Sequence, residues 1–182
     1  MTMRRSPLDR HFRVWRVALF VLIVAAIVWL GATVTRALIG NDLLRTDTAT
    51  LTLSINNDLS PDAQREAFRL LSVCSVTILG SYVVTLISSV VFLASSPFKL
   101  KQHGWLMMSA ILFYLFVPVE VWTLYLDWKM IYLEFFTTEG LERFQELFLA
   151  RVGALAGAPT VASLCYFTII GLAVFQPMKK MS

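Results

Sequence analysis

The chain has 182 residues, of which 57% are hydrophobic and 15% charged, with a formal net charge of +4. Soluble domains carry about 25% charged residues, and the apolar residues here are gathered in long blocks rather than spread as amphipathic stripes. Both features exclude an ordinary soluble domain and predict one all-α integral membrane domain over 1–182, with four transmembrane helices at about 14–39, 69–95, 104–126 and 152–177. Each block is long enough to cross a hydrocarbon core, which takes about 20 helical residues.

The N-terminal arm, 1–13, is basic. Arg4, Arg5, Arg10 and Arg13, with Arg16 at the start of span one, face a single acid, Asp9. Beside a membrane these arginines are expected to meet anionic lipid headgroups, so the positive charge is not a nucleic-acid signal. Span one is too long for a signal-peptide apolar region, typically 7–15 residues, and no A-x-A site follows it. It is expected to be a retained helix. It holds almost no polar group before Thr33 and carries little functional information.

The outer segment 40–68 follows. Thr48 to Ile55 alternates polar and apolar residues, which predicts extended structure, and Asn56-Asn57-Asp58 reads as a turn. No sheet partner for the extended stretch is evident, so docking on a neighbouring subunit is weighed against plain solvent exposure. Ser60-Pro61-Asp62 combines a capping hydroxyl, a proline in the first turn and an early acid. One helix is therefore expected from Pro61 straight into span two. In that span Ser81, Thr85 and Ser89 are four residues apart on one face. Small hydroxyl residues let helices approach closely, which serves helix packing or a polar pathway.

Span three opens at Gly104 and is interrupted by Pro118, which removes a helical hydrogen bond and kinks the helix. Two residues later comes Glu120, read as the only acid inside a span. An ionisable group there is costly in lipid. It serves either as a proton or cation site, or as a carboxyl satisfied within the bundle. The segment 127–151 is apolar for a loop. Leu141, Phe144, Leu147 and Phe148 form a helical stripe, so a short outer amphipathic helix is expected near 139–150. Span four begins with Gly153 and Gly157, a G-x-x-x-G pair that predicts a close helix contact.

Orientation comes from Lys and Arg. The arm, the short loop with Lys99 and Lys101, and the tail with Lys179 and Lys180 share one side in a four-span topology. The positive-inside rule then puts both termini in the cytoplasm. Trp15 and Trp105 fall at the cytoplasmic ends of spans one and three, and Trp122 and Trp128 near the outer end of span three. Cys74 and Cys165 fall at different depths and are expected to stay free.

The chain lacks G-x-S-x-G, a Walker loop, a dinucleotide fingerprint and H-E-x-x-H. Neither histidine, His11 or His103, lies within a span, so a paired haem site is not expected. His103 is the one candidate for a single axial ligand to a pigment or tetrapyrrole. No cofactor and no metal is expected, and no catalysis. The leading expectation is an accessory or structural subunit of a larger membrane complex, packing through its helices and outer segments. A channel or transporter using Glu120 is the second. The expected partners are membrane lipids and other membrane-protein subunits, and the expected location is a bacterial plasma membrane.

Overall fold

A computed structural model describes residues 7–46, 53–56, 58–98, 100, 103–137, 141–153 and 157–177, and side chains from Val14 onward apart from those of Thr46 and Leu53. Arg4, Arg5, Lys99, Lys101, Lys179 and Lys180, and the side chains of Arg10 and Arg13, lie outside it. The elements run α1 (Pro7–Leu43), β1 (Leu44–Thr46), β2 (Leu53–Ile55), α2 (Pro61–Ser95), α3 (Gly104–Leu115), α4 (Val117–Phe136), α5 (Leu141–Gly153) and α6 (Ala158–Phe175). Four stretches are long and apolar enough to cross a membrane: Val14–Leu43, Pro61–Ser95, Gly104–Phe136 and Ala158–Phe175.

The helix boundaries follow local chemistry. Ser60 caps α2: its hydroxyl accepts from Ala63 N at 3.3 Å, and proline follows in the first turn. The third span is broken between α3 and α4 at Phe116, so that Pro118 sits in the first turn of a new helix. There its missing N–H costs nothing, because first-turn amides have no helical partner.

Two expected boundaries need correction. The third span does not stop at 126 but runs to Phe136, so the apolar residues from Met130 onward extend the helix rather than line a loop. The fourth does not begin at 152. Helix α5 ends at Gly153, and Gly157 stands at the N-cap of α6 with φ 86°. That left-handed conformation favours glycine. Gly153 and Gly157 therefore belong to a helix end and a turn, and their spacing forms no helical contact face.

The extended stretch also has its partner within the chain. β1 and β2 pair antiparallel, with Leu44 opposite Ile55 and Arg45 opposite Ser54, and Asn56 N donates to Leu43 O at 2.9 Å. Residues 47–52 lie outside the described set.

α1 runs antiparallel along α2, as three layers of contact reveal. At the end holding the start of span one, Ala18 meets Phe92 and Leu106. In the middle, Trp29 packs with Ile78, Tyr82, Ala162 and Tyr166. At the far end, Leu43 joins Ile55, Phe68, Leu71 and Met130 under Phe144 and Phe148 of α5. α5 is thus the expected amphipathic helix, seated on its own chain. Its ring contacts with Phe68 are 4.7 Å (Phe144) and 5.9 Å (Phe148) between centroids. Gln145 adds a 3.1 Å hydrogen bond to Gln64 Oε1 of α2.

Candidate functional site

Polar residues at helical spacing on α4 build the site. Glu120, Thr123 and Asp127 stand at i, i+3 and i+7, which puts them on one face, and all three are buried. The sequence-based expectation that Glu120 is the only acid inside a span is therefore corrected. Asp127 lies well within the same helix and is fully enclosed.

Two arginines converge on Asp127. Arg36 of α1, itself buried, brings Nη1 to 2.5 Å from Oδ2. Arg151, near the end of α5, donates through Nε to Oδ1 at 3.1 Å. The Arg36 contact is an ion pair without hydrogen-bond alignment, and both its Nη atoms lack a hydrogen-bond partner among the described residues. Burying an ion is expensive unless a counter-ion sits against it. Here one carboxylate serves two guanidinium groups from helices far apart in sequence. The end of the bundle that holds the last turns of α1 is held by charge as well as by Phe68 and its neighbours.

Glu120 lies further along the same face. Its carboxyl sits against the Tyr166 and Thr123 hydroxyls, with Asp127 and Arg151 near enough to act on it electrostatically. The Thr123 hydroxyl donates to Glu120 O at 3.0 Å. Tyr166 Oη has no aligned hydrogen bond among the described residues, nor do Tyr82 Oη and Ser72 Oγ. Buried polar atoms usually find a partner or an ordered water. Trp29 closes this layer, 5.0 Å from Tyr82 and 4.7 Å from Tyr166 between ring centroids.

The expected hydroxyl face of α2 divides. Ser81 and Thr85 donate back to their own helix, to Thr77 O and Ser81 O. Ser89 also reaches across, with its Oγ 2.9 Å from Tyr114 Oη of α3. His103 stands at the N-cap of α3 with its ring 5.1 Å from that of Phe98, remote from Glu120. Among the described residues no three His, Cys, Asp or Glu side chains form a group that could hold a metal. Cys74 and Cys165 are free.

Two hollows lie away from the buried charges. One is an apolar groove between α1 and α2. The other is a charged surface hollow lined by Asp62, Arg65, Glu66, Arg69 and Glu134.

Four helices long and apolar enough to cross a membrane, with an ion pair buried between the first and the third, mark the class: a helical membrane protein. No protein-family model matches the chain, and no curated protein or solved structure is significantly similar to it. Its functional reading rests on its own residues.

Proposed function

We propose that the chain is a non-catalytic accessory subunit of a larger multi-subunit membrane complex, with both termini cytoplasmic in a bacterial plasma membrane. The observation that carries this reading is an aromatic stripe along α4. Trp122, Tyr125, Tyr132 and Phe136 share one helical face and are 49–70% exposed. Lys129 sits on the same face, with its ammonium 4.5 Å from the Tyr125 ring centroid. The stripe spans 14 residues, about 21 Å at 1.5 Å per residue. Aromatic girdles occupy the interfacial levels of a membrane, and a stripe this long overruns one such level. Exposed Trp and Tyr are also the side chains that most often anchor protein interfaces. The partner is accordingly another membrane-protein subunit, seated on α4. The hairpin and α5, whose apolar faces turn inward, are not its main contact.

A photo-crosslinking residue placed at Tyr125 tests this. A discrete cross-link to a second chain in native membranes is expected, with none from Leu164 on α6. Lipid adducts alone from both positions would refute the reading.

A second reading has one specific observation behind it. The hydroxyls of Tyr82 and Tyr166, neither with an aligned hydrogen bond among the described residues, lie near Glu120, which suits a proton or cation site. Arg36 and Arg151 weigh against a cation there, since two guanidinium groups already converge on the neighbouring Asp127. Proton or cation flux in proteoliposomes that Glu120→Gln abolishes would favour this reading over the first.

A further inference from the structure

We propose that Arg36 and Arg151 hold one small monovalent anion, of the chloride class, beside Asp127, and that this anion exchanges with the charge on Glu120. The site stands apart from the aromatic stripe of α4 and needs no partner subunit. Two guanidinium groups meet the two oxygens of a single carboxylate, and they lie near enough to act on each other. These three groups together carry one net positive charge. A buried ion without a counter-charge is costly, so a fourth group must supply a negative one. Glu120 is within reach, since Arg151 and Asp127 both act on it. Its other neighbours are neutral: Tyr82 of α2, Tyr166 of α6 and Thr123 of its own helix. To the same layer α1 brings Trp29 and α3 brings Phe113. Two arrangements balance the cluster. In one, Glu120 is a carboxylate. In the other, Glu120 keeps its proton and a monovalent anion enters. A divalent anion would leave one charge uncompensated.

The hydrogen-bond donors for such an anion are in place. Arg36 stands midway along α1 between Trp29 and Leu43. Trp29 shares a layer with Ile78 and Tyr82, and Leu43 shares one with Phe68 and Leu71. Antiparallel packing therefore sets Arg36 opposite the turn of α2 from Ser72 to Ser75. Cys74, in that turn, is near enough to act on it. The Ser75 hydroxyl is used by its own helix, donating to Leu71 O at 2.8 Å. Ser72 Oγ, fully buried, has no hydrogen-bond partner among the described residues. Arg36, 6% exposed, faces Asp127 through Nη1 without alignment, and its Nη2 has no acceptor among the described residues. Guanidinium and hydroxyl groups are donors that an anion accepts from. The Arg151 side chain, 20% exposed, links this layer to the surface and gives an anion its route. A water molecule in the same place would satisfy the donors and leave the charge unbalanced.

The test uses the full chain in mild detergent with sodium gluconate as the background salt, titrated with sodium chloride at constant ionic strength and neutral pH. Thermal unfolding reads the binding, and calorimetry in two buffers of different ionisation enthalpy reads the protons that accompany it. Saturable binding of about one chloride per chain is expected, with uptake of about one proton for each, because a buried cluster must close its charge. Glu120→Gln lacks the competing carboxylate. It should bind chloride more tightly, and its proton uptake should be lost. Arg36→Met with Asp127→Leu exchanges the ion pair for a matched apolar pair and keeps the fold. It should lose saturable binding altogether. No saturable chloride dependence in the unaltered chain would overturn the proposal. So would an equal response in the double variant, which would reduce the effect to a general action of salt. Chloride binding without proton uptake, unchanged in Glu120→Gln, would place the ion elsewhere and overturn it as well.

Discussion

Arg151 of α5 donates through Nε to Asp127 Oδ1 of α4 at 3.1 Å, so the amphipathic helix is bonded to the one fully enclosed carboxylate of the third span. On the other oxygen of that carboxylate sits Arg36, from the first span. Three segments distant in sequence thus meet at one side chain.

Removing that side chain strands two cations. Asp127→Ala is expected to destabilise the protein by about 3–5 kcal/mol, the usual loss when one partner of a buried pair is deleted. Replacing the pair together, Arg36→Met with Asp127→Leu, should restore much of it, because a matched apolar pair needs no counter-ion. Arg151→Ala should cost less, about 1–2 kcal/mol, since that side chain is partly exposed and Arg36 still faces the carboxylate. Thermal unfolding in detergent, followed by circular dichroism, ranks the three.

The α5 cap rests on Phe144 and Phe148. Phe148→Ala should cost about 3–5 kcal/mol and open the loop after α4 to proteolysis. Gly40 offers a gentler probe. A Cβ there would stand 3.5 Å from the Phe148 ring, an ordinary contact. Gly40→Ala is therefore expected to be neutral or to stabilise by up to about 1 kcal/mol through helix propensity. Gly40→Leu should overpack the ring and cost about 1–3 kcal/mol. Limited proteolysis of the two Gly40 variants against Phe148→Ala separates packing from charge.

Gly153 and Gly157 should behave differently from one another. A Cβ on Gly153 meets nothing within 4 Å, whereas Gly157 holds φ 86°. Gly153→Ala should leave stability unchanged, and Gly157→Ala should cost about 1 kcal/mol or more through backbone strain. A G-x-x-x-G contact face would predict a loss at both positions, which unfolding curves would reveal.

On α2, Ser89→Ala should cost about 0.6 kcal/mol, typical of a hydrogen bond between membrane helices, while Ser81→Ala should be near neutral because, among the described residues, its hydroxyl bonds within its own helix. Pairing Ser89→Ala with Tyr114→Phe in a double-mutant cycle isolates the contact.

The apolar blocks and the Ser60-Pro61 helix start were legible because hydropathy and capping act over a few neighbouring residues. The Arg36–Asp127 pair was not, since its members are far apart in the chain and each reads alone as a charge near a span's end. A signal was nonetheless present: Glu120, Thr123 and Asp127 recur at helical spacing and mark a polar face that only burial could explain. Gly153 and Gly157 fit a familiar membrane spacing and so disguise where the fourth span begins. Pro159 two residues later was the better guide, since proline favours a helix's first turn. The partner of β2 was hidden because a three-residue strand such as β1, directly after a long helix, gives no alternation of its own.

An aromatic face of α4 seated on another subunit, as proposed, must show in what travels with the chain. The most direct measurement is the composition of the tagged full chain, purified from its native membrane in mild detergent and weighed as an intact particle. A second chain at fixed stoichiometry is expected, lost from the triple variant Trp122→Ala, Tyr125→Ala and Tyr132→Ala while that variant stays helical. A lone, homogeneous monomer from the unaltered chain, indistinguishable in composition from the triple variant, would contradict it.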